Sequence, residues 1–468
     1  MVRGAGLAVA LALVVAMLMW QTAAPGARVD VVITGGTVVT MDDQGTVIVD
    51  GAVAIDDGEI VAVGTAVEIN ARYAGAERVD ASGQIILPGL INTHGHAPMV
   101  MYRGLADDMA LMDWLNQYIF PAEKATVSPE FVRVGTQLAV LEMIESGTTT
   151  FADMYYFEDA VAHATSEAGL RAVLGQTIIR FPVADAATPE EGLARAEAFL
   201  QAFADDDLIT PAVAPHAPYT LTPETLQAAR ALANKYNAPL LIHLAETKDE
   251  VGIIADQFKQ SPAMFLDGLG VWNGRSLAAH AVWVDDADMA MLAARGVGLS
   301  HNPESNMKLA SGTAPVPAWL THGAKVGLGT DGAASNNDLD MFEAMRTAAL
   351  LHKHASGDPR VLPARVVLEM ATRRGADALG MGDRIGSLEP GKLADVITVS
   401  VDSARQTPLF DPISHLVYVT RGTDVRTTIV HGEVLMRRGQ VLSLDRNEVI
   451  REAREMAETV RAAVKRQP

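Results

Sequence analysis

The stretch Ile85-Ile86-Leu87-Pro88-Gly89-Leu90-Ile91-Asn92-Thr93-His94-Gly95-His96 decides how this chain is read. An apolar run ends abruptly in two histidines one residue apart. On a strand, alternate side chains share a face, so both imidazoles would point at one spot just past the strand end. Two neutral imidazoles on one spot suggest a divalent metal. In isolation, two polar loop histidines would read the same. What the rest of the chain brings to that spot decides between them.

Working outward, eight apolar runs alternate with alanine-rich stretches: 85–93, 148–153, 171–179, 209–215, 238–243, 276–280, 296–300 and 324–330. Between them, Glu224 to Tyr236 and Asp285 to Arg295 carry apolar residues at helical spacing. Alternating strand and helix predicts a parallel sheet. Eight such units over about 250 residues predict a (β/α)8 barrel, whose active site sits at the carboxyl ends of its strands. The first run ends at His94 and His96, the second at Asp153, and the fourth at His216. The fifth ends at His243 with Glu246 just beyond, the sixth at His280, the seventh at His301 and the eighth at Asp331. Only the third lacks a His or Asp at its end, a concentration that solvated loops do not explain.

The flanks have a different rhythm. Short strands and turns fill Val29 to Ser82, with Asp56-Asp57-Gly58 a good hairpin turn. The same style returns at 394–399, 427–430 and 433–436. Both chain ends are therefore expected to build one small β-sandwich domain from 28–84 and 384–442, around a barrel at 85–383, with a charged helix at 443–468. The first 27 residues stand apart. Arg3, the apolar stretch Leu7 to Trp20 and the small residues after it fit a secretory signal. Counted over 4–24, the segment is also long enough for an uncleaved membrane anchor. Export or membrane attachment follows if the segment is genuine, and a cytoplasmic protein otherwise.

At 468 residues and 49% apolar, the chain has ample material for a large core. Its 37 basic and 57 acidic residues give a net charge of −20, which repels phosphate backbones and argues against a nucleic-acid polymer as partner. A small-molecule substrate and a homo-oligomer are expected instead. With no cysteine, there is no disulfide or thiolate site, so a metal must be held by His, Asp or Glu.

His94, His96, His243 and Asp331 make a coherent metal set, three imidazoles and a carboxylate suiting zinc or iron. Asp331 lies in Gly-Leu-Gly-Thr-Asp-Gly, whose small neighbours let backbone come close. Glu246, in His-Leu-Ala-Glu-Thr, sits where a general acid/base would stand beside the water. His280, among small apolar residues, reads as a core histidine by composition, but its place at a strand end argues that it orients the attacking hydroxide. His301, in Ser-His-Asn-Pro, reads equally as support behind the site or as its lining. His163, His322, His352, His354, His415 and His431 lack such context and are assigned to surfaces or packing.

These stretches resemble the amidohydrolase superfamily, and within it the 5-methylthioadenosine/S-adenosylhomocysteine deaminases. The matches include Asn-Thr-His-Gly-His-Ala-Pro-Met (92–99), Asp113-Trp114-Leu115, Phe120-Pro121-Ala122-Glu123, Phe151-Ala152-Asp153-Met154-Tyr155 and Ala214-Pro215-His216-Ala217-Pro218-Tyr219. They continue through His243-Leu244-Ala245-Glu246-Thr247, Ala279-His280, Ser300-His301-Asn302-Pro303 with Asn306 and Lys308, and 329–337. The resemblance implies one zinc on His94, His96, His243 and Asp331, with Glu246 moving the proton and His280 steadying the hydroxide. It also implies that Glu123 binds ribose hydroxyls, that His216 touches the purine, that Trp114 and Ser335 line the pocket, and that 97–147 forms a lid. One departure stands out. Members that take S-adenosylhomocysteine carry two arginines for its carboxylate, one just after the third strand. Here that place is Gln176, Arg180 is out of register, and 184–192 has no arginine. A preference for a thioether tail without a carboxylate, or for adenosine, is expected. Rival readings are a triazine-type or other heteroaromatic amino- or chlorohydrolase, a guanine-type deaminase, and a scaffold without catalysis.

Overall fold

The computed structural model describes residues 26–464. The expected signal or anchor lies outside these apart from Gly26 and Ala27, and Ala27 opens the first strand. Among the described residues, no helix is long and apolar enough to cross a membrane.

Eight strands form the central parallel sheet: Leu90–Gly95, Thr148–Tyr155, Arg171–Ile178, Ile209–Pro215, Leu240–Leu244, Ser276–His280, Gly298–His301 and Lys325–Leu328. Each pairs with the next in chain order. The seam between first and eighth is tied by Thr93 Oγ1 donating to the Leu328 carbonyl at 2.9 Å and by Asp331 N–H donating to the His94 carbonyl at 3.0 Å. The result is the expected (β/α)8 barrel. Its strands are almost wholly buried on both faces, as a parallel sheet covered by helices must be.

Helices begin where side-chain caps satisfy the first free N–H groups. Ser128 caps Pro129–Ser146, Thr222 caps Pro223–Lys235, and Asp285 and Asp288 form a capping box on Asp286–Ala294. Gly147, at φ 86°, closes the first of these with the left-handed turn that glycine adopts without strain. After the first barrel strand, the chain makes several short helical pieces, including Leu111–Trp114, a wider π turn at Leu115–Ile119, and Phe120–Thr126.

The run 85–93 is two strands, not one. Gln84–Pro88 pairs antiparallel with Val396–Ser400 in a separate sheet, and only Leu90–Gly95 enters the barrel. The chain crosses between sheets at Pro88-Gly89. A Cβ at Gly89 would stand 2.0 Å from Thr149 Oγ1, so the crossing requires glycine. Periodicity could not find this break, because both halves are apolar.

The second sheet is mixed and has nine strands, drawn from both chain ends. Its long strand Ala27–Val39 pairs with Val47–Asp56 from Val31 to Val39, with Tyr73–Asp80 through its first half and with Gln84–Pro88 near its end. Neighbouring residues feed different cores: Val31 and Ile33 one apolar cluster, Val32 between them another that includes Ile69 of the helix Ala66–Arg72. The two sheets meet at a buried ion pair. Arg171 Nε and Nη2 donate to Asp395 at 2.9 and 3.2 Å. The terminal helix Arg446–Val464 lies against Pro129–Ser146, with Arg133 Nη2 2.8 Å from Glu452.

Candidate metal centre and active site

The carboxyl ends of the barrel strands converge, and the backbone there is unusual. Pairing of the first strand with the second slips by one residue: Asn92 faces Phe151, but Gly95 faces Asp153. This bulge, of the kind found beside active sites, re-aims the strand end. His94 and His96 finish with ring centroids 4.9 Å apart. Ala245, His280, Ala281 and Asp331 all have φ between 41° and 71°. Non-glycine residues held there cluster at functional sites. Small neighbours permit the approach: a Cβ on Gly329 would lie 2.5 Å from Asn302 Oδ1 and 2.9 Å from His94 N.

His94 Nε2 lies 3.5 Å and His96 Nε2 3.3 Å from Asp331 Oδ1. His96 Nε2 and His243 Nε2 are 3.3 Å apart. Donors bonded at about 2.0–2.1 Å to one tetrahedral ion would stand roughly 3.3 Å from one another. Second contacts fix the tautomers. His96 Nδ1 and His243 Nδ1 each lie 2.7 Å from a backbone carbonyl, of Met154 and His216. A carbonyl only accepts, so each Nδ1 carries its proton and each Nε2 is turned inward, free to bind a metal when unprotonated. Two ring nitrogens at 3.3 Å share either a proton or a metal ion between them. His94 Nε2 is buried without a hydrogen-bond partner, as a ligand nitrogen would be. The four side chains fit a divalent ion.

Electrostatics agree. Burial pushes His94 down to about 4, leaving it neutral. Burial also opposes protonation of His96, but Asp331 and Asp153 outweigh it and hold the ring at about 9. Burial would raise Asp331, yet the His94 and His96 rings keep its carboxyl well below the usual range. The ionised Asp331 thus favours one positive charge among these rings, which a proton on His96 or a metal ion supplies. Asp331 is further held by Ser305 Oγ at 2.6 Å and Gly332 N–H at 2.7 Å.

His280 presents Nε2 3.8 Å from Glu246 Oε2 and 4.0 Å from Asp331 Oδ2. Its Nδ1 donates to Asn306 Oδ1 at 2.9 Å. Burial raises Glu246 above the ordinary carboxyl value. Both His280 and Glu246 open on one cavity at the strand ends. Trp114, Glu123, His216 and Ser335 line it as well. Glu123 is buried, accepts from Tyr155 O–H at 2.7 Å, and is pushed by burial to about 7. Burial, with His96 and His94 nearby, lowers His216 to about 3.

His301 is not brought to this cavity. Ser300 reaches Thr93 Oγ1 at 2.6 Å and Asn302 at 2.9 Å. Strand alternation then sends His301 to the opposite face, where its Nε2 meets His352 Nε2 at 3.1 Å. His352, read as packing, is its partner on the helix Met341–Ser356. Glu250 escaped the sequence reading. Buried on the helix Lys248–Phe258, its carboxylate accepts from Ala245 N–H at 2.7 Å and Glu246 N–H at 3.1 Å. Its only signal was a carboxylate four residues after Glu246. Asn306 was quoted only as part of a motif, and nothing in the sequence tied it to His280.

A barrel with this histidine and aspartate cluster at its carboxyl rim defines a class. The amidohydrolase family model matches residues 85–435, and the chain belongs to that family. Among its relatives, a 5-methylthioadenosine/S-adenosylhomocysteine deaminase of Syntrophobacter fumaroxidans is 46% identical over 93% of this chain and 99% of its own length. A 5'-deoxyadenosine deaminase of Methanosarcina acetivorans is 46% identical over 92% of this chain and 98% of its own. The zinc-bound crystal structure of an adenosine deaminase from Xanthomonas campestris superposes with a TM-score of 0.92 at 40% identity, covering 94% of this chain and all of that one.

Proposed function

We propose that this chain is a metal-dependent hydrolytic deaminase of an adenine nucleoside, such as 5'-methylthioadenosine, S-adenosylhomocysteine or adenosine, releasing ammonia and the inosine analogue. The observation that carries this is Glu246 beside His280 in the cavity that also holds His96, His243 and Asp331. Relatives named for the same reaction over nearly their whole length support it. His94, His96, His243 and Asp331 would hold the ion, zinc being the expected one. When bound, the metal lowers the pKa of a water toward neutrality and so supplies a nucleophile.

The chain's own groups do the rest. Glu246 takes the proton that the water loses as it adds to the amino-bearing ring carbon. It passes that proton to the adjacent ring nitrogen, then carries the proton left on the added oxygen to the amine, and ammonia leaves as the ring carbon–oxygen double bond forms. A raised carboxyl suits a group that must both take and give a proton near neutral pH. His280, its Nδ1 fixed by Asn306, keeps Nε2 toward the incoming water. Glu123 accepts ribose hydroxyls, His216 stands against the purine, and Trp114 and Ser335 bound the pocket. Export or membrane anchoring through residues 1–27 is a proposal separate from the reaction, and amino-terminal sequencing of the mature protein tests it.

The experiment is the adenine-to-inosine absorbance change on incubation with methylthioadenosine. Glu246→Gln should abolish the change with bound metal retained. Full activity in that variant refutes the role of Glu246.

A further inference from the structure

We propose that the end of the cavity receiving the nucleoside's 5' substituent takes uncharged tails and rejects those that carry a carboxylate, a narrowing that rests on the adenine-nucleoside reading above.

Among the described residues lining the cavity there is no lysine or arginine. Five lining side chains come from one short stretch, Leu111, Trp114, Leu115, Ile119 and Phe120, and none is charged. The ionisable groups besides histidine and tyrosine are three carboxylates, Glu123, Glu246 and Asp331. Glu246 and Asp331 stand beside the histidine cluster at the reacting-carbon end, so a carboxylate on the 5' tail meets Glu123 and the apolar wall. The cation of the histidine cluster does not relieve this, because a 5' tail leaves the ribose at the opposite end of the nucleoside from the reacting carbon.

Basic groups elsewhere are already engaged or face away. Lys308 Nζ lies 2.5 Å from Asp107 Oδ1 and 2.7 Å from Asn337 Oδ1. Arg195 lies 3.2 Å from Asp185 and 3.3 Å from Asp159. Arg180 is exposed and does not line the cavity. Gln176, on the third barrel strand, could offer an amide, but its Nε2 donates to Asp185 Oδ2 at 2.9 Å and to the Thr177 carbonyl at 3.2 Å. The next residue, Thr177, is the one that faces the cavity, as alternation along a strand requires. An arginine fork is the natural partner of a buried carboxylate, and this wall supplies none. An apolar, aromatic wall does suit a methyl or thioether group.

The test compares kcat/KM for 5'-deoxyadenosine, 5'-methylthioadenosine, 5'-butylthioadenosine and S-adenosylhomocysteine. The butyl compound matches the homocysteine tail in length but carries neither its carboxylate nor its ammonium, and the ammonium, which Glu123 would attract, does not account for a loss. It should fall within about tenfold of methylthioadenosine, and S-adenosylhomocysteine at least about 100-fold below it, the scale of discrimination left by an unpaired polar group. Comparable values for the two long tails overturn the inference. Rejection of both also overturns it, because length would then be the cause. The same four ligands are titrated calorimetrically into the Glu246→Gln protein. If no nucleoside turns over but binding keeps the predicted order, the deaminase reading fails and this one stands. If none binds, both fail.

Discussion

Glu123 is a buried carboxylate with a single hydrogen bond, from Tyr155, and burial lifts it to about 7. Its ionised form accepts from ribose hydroxyls on both oxygens and more strongly than the protonated form does. Below pH 7 it is protonated, so kcat/KM should fall as pH drops through about 7. The Tyr155 hydrogen bond lowers Glu123, so Tyr155→Phe should move this acid limb to higher pH. A limb that stays in place, or a profile flat from acid to neutral pH, would show that Glu123 does not govern binding. Substrates lacking ribose hydroxyls should lose much of the dependence. A second residue-level contrast concerns metal. His94→Ala and His243→Ala should each strip the ion from purified protein, measured by elemental analysis. His301→Ala, which alters a side chain facing His352 behind the barrel wall, should retain it. Equal metal loss in all three would undo the ligand assignment.

At the scale of the element, what decides the site is how each strand stops. Extended backbone alone would point His280, next to Ala279, to the wrong face. Left-handed turns at Ala245, His280 and Asp331 and the bulge before Gly95 break the alternation where side chains must converge. Such turns cost energy and persist only when other contacts hold them. Glu250 is that contact for the turn at Ala245-Glu246. Its removal leaves two buried N–H groups without acceptors, so Glu250→Ala should destabilise the protein by about 1–3 kcal/mol. Turnover should fall with metal content unchanged, and Glu250→Gln, which keeps one acceptor oxygen, should recover part of it. Activity unaffected by Glu250→Ala would mean the turn is held elsewhere. These details mark the boundary of what the sequence revealed. The eight strands were legible because each is a short apolar run, and all but the third end in a His or Asp. The direction of His301, the bulge and the support from Glu250 were not, because they depend on register and on contacts between turns of backbone that no local pattern encodes.

On the scale of the whole molecule, the barrel is anchored to a sheet made from both chain ends. The division was readable in outline from the change of rhythm along the chain, but the crossing at Pro88-Gly89 was hidden inside one apolar run. Arg171 starts the third barrel strand and Asp395 immediately precedes the strand Val396–Ser400, so their ion pair joins the floor of the barrel to the second sheet. Both side chains are almost fully buried, and Asp395 Oδ1 also accepts from His431 N–H at 2.9 Å. Burial depresses Arg171, but Asp395 more than offsets it and keeps the guanidinium charged. Removing one partner from such a pair leaves a buried charge without compensation, which costs about 3–5 kcal/mol. Asp395→Ala should therefore lower stability to denaturant by that order. The double variant Arg171→Met/Asp395→Leu should recover much of the loss, since replacing both charges by apolar groups is often neutral. The pair lies at the opposite end of the barrel strands from the histidine cluster, so the surviving folded protein should keep its metal and its KM. A double variant as unstable as Asp395→Ala would show that the pair contributes through its own attraction, and a raised KM would show that the second sheet reaches the active site through the barrel wall.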